Sequence, residues 1–278
     1  MLRKYLFAVD ACPACKPVAS KSLPSRRFAS GTGINKIFMP LCEPRKRLSE
    51  IRFMWISPNK YNAWYETPLG SLCDKLEKDA IFTLFKPKGF VLDIGCGTGN
   101  YTYEIKKRGG KAIGMDTDFY MVLFAKDKAI VSGTKPLFIV GNAEVMPFKE
   151  KVFDGVLEVA SLCFIQHPEK TIKEMHRILK PEGIIAIGEL NRLSYWAFLR
   201  RTKGWFKETV YKHARFFSIR TLTEMLHETG FKDLQRSSCL HFPPINSKWF
   251  LKIYKIFEKA GRTVFPKNGA FIVAAGRK

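Results

Sequence analysis

A chain of 278 residues with 46% apolar content is long enough to bury its own core, and no run in it is both long and uncharged enough to cross a bilayer. Seven cysteines, at 12, 15, 42, 73, 96, 163 and 239, are an odd and scattered set that argues against a disulfide framework and for free thiols in a reducing compartment. The net charge of +22 sits on two flanks: residues 1–53 hold 11 Lys/Arg against 3 acids and residues 191–278 hold 18 against 5, while residues 54–190 hold 18 against 17. Such flanks favour anionic partners, whether nucleic acid, an acidic lipid surface or a small anion.

Residues 1–53 show no hydrophobic periodicity and are rich in Pro, Ser, Lys and Arg. They read as a basic extension, disordered or not native to the domain. An organellar transit segment is the alternative, although Pro13, Pro17 and Pro24 interrupt any amphipathic helix. Cys12 and Cys15 form a lone CxxC with no second pair, so no metal site is expected. One domain then spans 54–278. It opens with the aromatic segment Tyr61-Asn62-Ala63-Trp64-Tyr65. A helix follows over 71–85, with Leu72, Leu76, Ile81 and Leu84 at helical spacing.

The chain is organised around Val91-Leu92-Asp93-Ile94-Gly95-Cys96-Gly97-Thr98-Gly99. An apolar strand, 90–94, runs into three alternate glycines and then a helix, 101–108. Glycines permit backbone angles that other residues avoid and let a ligand lie against the main chain. A dinucleotide fingerprint would need its third glycine at position 100, which is Asn100. The acid at the strand end, Asp93, suits a cationic group better than a pyrophosphate. The next strand, 111–115, ends at Asp116, about 20 residues past the first glycine, where a carboxylate accepts ribose hydroxyls. A ribose together with an amino-acid ammonium describes S-adenosylmethionine.

The remaining elements alternate: a helix over 120–129, strands over 137–140 and 152–159, a helix over 170–179 and a strand over 183–189. Alternation of this kind predicts a parallel sheet with helices on both faces. After it come a basic, aromatic stretch at 191–218, a helix over 221–229, a strand over 232–238, a second insert at 240–266 and a last strand over 270–276. In the second insert Lys248, Lys252, Lys255 and Lys259 fall on one helical face among Trp249, Phe250, Ile253, Ile256 and Phe257, a basic amphipathic helix. It is expected either to cap the site, lysines outward, or to touch an anionic membrane.

Together with Gly114-Met115-Asp116, the run Gly141-Asn142-Ala143-Glu144-Val145-Met146-Pro147-Phe148, Phe153-Asp154-Gly155-Val156 and Leu179-Lys180-Pro181-Glu182-Gly183, the glycine stretch resembles class I S-adenosylmethionine-dependent methyltransferases. It is most similar to the type 11 group related to ubiquinone and menaquinone biosynthesis enzymes. The resemblance is strong over about 61–190 and implies an α/β, doubly wound, Rossmann-like seven-stranded sheet, mostly parallel with an antiparallel last strand. It implies a substrate roof built by the inserts at about 191–218 and 240–266. It also implies an aromatic lid before the core, for which Tyr61 and Trp64 are candidates.

The roles follow by position. Gly95, Cys96, Gly97 and Gly99 carry the backbone against the cofactor. Asp93 is expected to meet the ammonium, directly or through water, and Asp116 the ribose, with Thr117 beside the adenine. Asn142 and Ala143 stand where the family usually has Asp-Ala and meets the adenine edge, and Glu158 to Ser161 border the methyl group. Methyl transfer from a sulfonium needs alignment and water exclusion more than covalent help. A base is required only for a protonated acceptor, and His167 and Glu189 are the leading candidates beside His213 and His241. These features predict a cytoplasmic enzyme, either free or peripheral to a membrane, that methylates a small or lipid-like molecule. The alternative is an RNA methyltransferase using the basic flanks, although Glu158-Val159-Ala160-Ser161 differs from the Asn/Asp-Pro-Pro-aromatic motif of base-amine enzymes. A non-catalytic binding protein is the third reading.

Overall fold

A computed structural model describes residues 57–131, 136–206, 209–212 and 214–278. The basic extension with its CxxC, and His213, lie outside the described residues. In chain order the elements are α1 (Pro58–Glu66), α2 (Pro68–Leu84), β1 (Phe90–Ile94), α3 (Asn100–Lys107), β2 (Lys111–Asp116), α4 (Phe119–Val131), β3 (Leu137–Val140), β4 (Phe153–Val159), α5 (Pro168–Ile178), β5 (Leu179–Leu190), α6 (Tyr195–Phe206), α7 (Ile219–Thr229), β6 (Lys232–Cys239), α8 (Phe250–Val264) and β7 (Phe271–Arg277). Short 3-10 turns at Leu162–Phe164 and Val210–Lys212 join them.

Helix starts follow local chemistry. Thr67 closes α1 and opens α2, its Oγ1 accepting from the Gly70 amide at 3.0 Å, with Pro68 next in line. Ser218 opens α7 by accepting from the Thr221 amide at 3.1 Å, and Gly230 ends it at φ 101°.

The sheet order is β3-β2-β1-β4-β5-β7-β6. Strands β1 to β5 pair in parallel, and β7 runs antiparallel to both β5 and β6. The doubly wound sheet with its reversed last strand is therefore as expected. Strand β5 starts earlier than its apolar run: Leu179 pairs with Phe153, a bulge follows, and Glu182 takes φ 62° within what reads as a turn. One apolar layer joins Ile94, Phe148, Phe153 and Ile172 to Leu222 and Phe231. The other joins Ile81, Phe85 and Val91 to Phe242 and Phe271. Strand order reverses between β1 and β4, so the carboxyl ends of those strands form the crevice where ligands bind in sheets of this type.

Candidate active site

At that crevice the glycine turn leaves β1 with Gly95 at φ 64°, Gly97 at φ 51° and Gly99 at φ 81°. A Cβ on Gly95 would collide with the Ser161 side chain, so residue 95 must be glycine if β1 and the β4 tip are to meet. The turn is latched from β2: Asp116 Oδ2 accepts from the Gly97 amide at 2.8 Å and Oδ1 from the Asp118 amide at 2.9 Å. Asp116 is partly exposed, and burial raises its pKa against the pull of those amides. Thr98, at the centre of the turn, is buried with its hydroxyl unpartnered. A buried polar atom without a partner is costly, and a bound ligand would relieve it.

Asp93 lies beneath the turn rather than on it. It is 1% exposed, and Oδ2 accepts from the Thr102 hydroxyl at 2.5 Å. Burial pushes it up to about 7, partly offset by that bond. Asp93 ties α3 to β1.

Tyr61 is the residue that lies over the turn. A Cβ at Gly97 would stand 3.7 Å from its ring. Its hydroxyl meets that of Tyr65 at 2.9 Å. Trp64, the other lid candidate, faces outward at 42% exposure. Thr117 and Asn142 are exposed at the ends of β2 and β3, and Ala143 is buried beside them. Asn142 Oδ1 accepts from the Glu144 amide at 2.9 Å, which shapes the loop and occupies the oxygen expected to meet adenine.

Two more of the expected residues stand at the tips of β4 and β5. Glu158 is fully buried, and its Oε1 accepts from the amides of Ser161 and Leu162 and from the Ser161 hydroxyl, each at 2.7 Å. Through Oε1 it holds the loop that carries Ser161, while Oε2 is buried without a partner. Glu189 is equally buried, accepting from the Cys163 amide at 3.0 Å and from its neighbour Leu190 at 3.2 Å. Burial raises both carboxyls, Glu158 to about 7, and the charge of Glu158 raises Glu189 further.

His167 is exposed where α5 begins and makes no side-chain cap bond, while its amide donates to Glu144 at 2.9 Å. His241 packs elsewhere, between Ser238 and α8, in an open groove of about 380 Å³ that also takes in Tyr195, Trp196 and Phe265. Among the described residues no cluster of His, Cys, Asp and Glu could hold a metal ion.

Sequence reasoning missed the carboxylates of α2. Asp74 and Lys78 pair at 2.7 Å, and both hold Asn100 at the start of α3, at 2.6 and 2.9 Å. Glu77 is deep-set one turn along. The signal was present: Cys73, Glu77, Ala80, Ile81 and Leu84 share one helix face, and a carboxylate in an apolar stripe needs a reason.

A glycine turn with positive backbone angles, a buried acid beneath it and a ribose-spaced acid beside it make this a nucleoside-binding doubly wound domain, and its residues fit S-adenosylmethionine. Residues 92–187 match the methyltransferase-domain family. An uncharacterized protein of Methanocaldococcus jannaschii is 32% identical over 221 residues, 79% of this chain and 95% of that one. An uncharacterized protein of Mycobacterium tuberculosis strain H37Rv is 30% identical over 66% of this chain, which spans only 61% of that relative's length. A demethylmenaquinone methyltransferase of Symbiobacterium thermophilum is 27% identical over 54% of this chain and 66% of its own. A methyltransferase structure from Thermotoga maritima superposes with a TM-score of 0.62 at 26% identity, covering 79% of this chain and 95% of that one. The chain belongs to the S-adenosylmethionine-dependent methyltransferases.

Proposed function

We propose that this protein transfers the methyl group of S-adenosylmethionine to a small-molecule or lipid-like acceptor. The observation that carries this reading is the turn itself, open at Gly97, latched by Asp116 and covered by Tyr61. Asp116 and the backbone of residues 95–99 hold the nucleoside, and Thr117, Asn142 and Ala143 border its base. The bound sulfonium supplies an activated methyl group. The likeness to a demethylmenaquinone methyltransferase supports a quinone-like or isoprenoid acceptor. The test incubates the full chain with S-adenosylmethionine labelled in its methyl group and a fractionated cell extract. Label is expected in the small-molecule or lipid fraction. Label in the RNA fraction would transfer the assignment to an RNA methyltransferase using the basic flanks.

Peripheral contact with an anionic membrane is part of the same reading. Lys248 precedes α8, so three of the four lysines lie on the helix. The apolar residues divide: Phe250 packs inward, whereas Trp249 is 71% and Ile256 69% exposed beside Lys252, Lys255 and Lys259. The one acid of α8, Glu258, is buried and accepts from the His241 amide at 2.6 Å, so the helix exposes positive charge and apolar groups with no acid among them. A helix of that kind suits a lipid surface. Among the described residues no helix is long and apolar enough to cross a membrane. The protein is expected to sediment with vesicles containing phosphatidylglycerol and to stay in solution with phosphatidylcholine alone. The double substitution Trp249→Ser and Lys252→Glu is expected to weaken binding at least tenfold. Equal behaviour with both vesicle types would remove the membrane from the proposal.

A further inference from the structure

We infer that the outward face of α4 is the interface of a twofold dimer of this chain, in which the α4 helices of the two copies run parallel. The inference goes beyond methyl transfer and does not depend on the acceptor.

The amphipathy of α4 is reversed. The side that packs on Phe138 of β3 is built from the smaller residues Val122, Ala125 and Ala129. The large apolar residues turn outward. Among the described residues Phe119, Tyr120, Leu123, Ile130 and Val131 are exposed, Ile130 by 79% and Val131 by 90%. A surface helix puts its polar side there, and a helix apolar on both sides is one that is covered on both. Exposed apolar groups gathered in this way mark an interaction surface. The adjoining strand β3 is the edge of the sheet, and its sequence Leu137-Phe138-Ile139-Val140 holds neither a charge nor a proline, the usual guards of a free edge.

The occupant that fits is a second copy, because the face is complementary to itself. Phe119, Leu123 and Ile130 recur at i, i+4 and i+11 and form one stripe along the helix. Lys126 and Asp127 are successive, hence about 100° apart around the helix, and flank the stripe on opposite sides. Lys128 is turned away from the stripe, its ammonium 5.3 Å from the centre of the Tyr103 ring. When two such helices lie side by side and parallel about a twofold axis, the left flank of one meets the right flank of the other. Lys126 of each copy then faces Asp127 of the other, and Leu123 and Ile130 pack on their own images. An antiparallel pair would bring like flanks together, Lys126 against Lys126.

The fold supports the parallel arrangement. Helix α4 leads from the carboxyl end of β2 to the start of β3, and those strands are parallel, so its first turn lies at the cofactor edge of the sheet. Helix α8 lies in the connection from β6 to β7, and because β7 is antiparallel to β5 and β6 that connection stands at the same edge. A twofold axis along α4 therefore leaves both cofactor turns and both α8 helices on one side, where a single lipid surface would meet them together. It also joins the copies at the β3 end of the sheet, opposite the β7-β6 end built from the basic residues 191–278. Residues 54–190, which contain α4, hold 18 Lys/Arg against 17 acids, so the contact is made where charge repulsion between copies is least.

Sedimentation equilibrium of the full chain, 31.9 kDa per copy, tests the interface. Wild type is expected to sediment with twice that mass at micromolar concentration. The double substitution Leu123→Glu and Ile130→Glu is expected to weaken association at least a hundredfold while unfolding stays cooperative, because both side chains are exposed in the single copy. Lys126→Asp and Asp127→Lys, made singly, are each expected to weaken it at least threefold, and the two together to restore it. A monomeric wild type overturns the interface. A dimer that survives the Leu123 and Ile130 substitutions places the contact on another face, and charge reversals without recovery rule out the parallel pairing. A monomeric wild type whose binding to phosphatidylglycerol vesicles is lost in the double variant makes this face a lipid surface instead. Calorimetry with S-adenosylmethionine on the same proteins reads the methyltransferase assignment separately.

Discussion

Gly97→Arg is expected to abolish detectable S-adenosylmethionine binding, a loss of at least a hundredfold by calorimetry. Residue 97 has φ 51°, and a Cβ there would already touch the Tyr61 ring at 3.7 Å. A Cβ alone can be accommodated, but a long side chain must fill the space between turn and lid that the nucleoside needs. The backbone penalty is small by comparison, about 1–2 kcal/mol for an L-residue in the left-handed region, so the variant should fold. Asp116→Ala attacks the same site from β2. It removes the acceptor for the ribose hydroxyls and the latch on the Gly97 amide. Hydrogen bonds to a charged group contribute about 1.5–3 kcal/mol each, so the expected loss is roughly ten- to a hundredfold or more. Unchanged affinity in both variants would contradict the cofactor assignment.

The second large effect concerns pH. The thermal midpoint is expected to fall as pH rises from about 5 to 9. Asp93 and Glu158 are raised to about 7, and Glu189 is raised by burial and by Glu158 beside it. Raised carboxyls bind protons more tightly in the folded state than in the unfolded one. Their protonation therefore supports the fold at low pH, and that support is lost between the ordinary carboxyl range and about 7. A buried group raised by ~3 units contributes on the order of 3–4 kcal/mol, or ~5–10 °C at this chain length. Glu189→Gln is expected to flatten the slope and raise the midpoint at pH 8, because the amide oxygen still accepts from Cys163 while one of two like charges is gone. A midpoint that rises over the same range would contradict the buried pair.

Much of the fold was legible because its signals are local. The strands at 90–94 and 137–140 are reproduced residue for residue, and those at 111–115 and 232–238 end within one residue of expectation. The first three are apolar runs bounded by glycine or by charge, which a parallel sheet requires, whereas the last is a polar edge strand paired antiparallel to β7. The surroundings of a polar side chain that ends a strand were less legible. Glu158 and Glu189 stand at strand tips, where a carboxylate normally meets a ligand. Only the packed structure reveals that amides of the Leu162–Phe164 turn donate to both.

The alternation of strands and helices, the glycine turn, the two acids 23 residues apart at 93 and 116 and the charge asymmetry are all properties of the linear sequence. They determine a nucleoside-binding doubly wound domain with basic flanks, because backbone freedom and strand periodicity act over a few residues at a time. Which carboxylate faces outward was decided only by tertiary packing. Asp93 sinks under Thr102 and Glu189 under Cys163, whereas Asp116 stays partly exposed at the end of β2. A carboxylate's availability depends on which groups surround it in space, and those groups come from helices far apart in the chain.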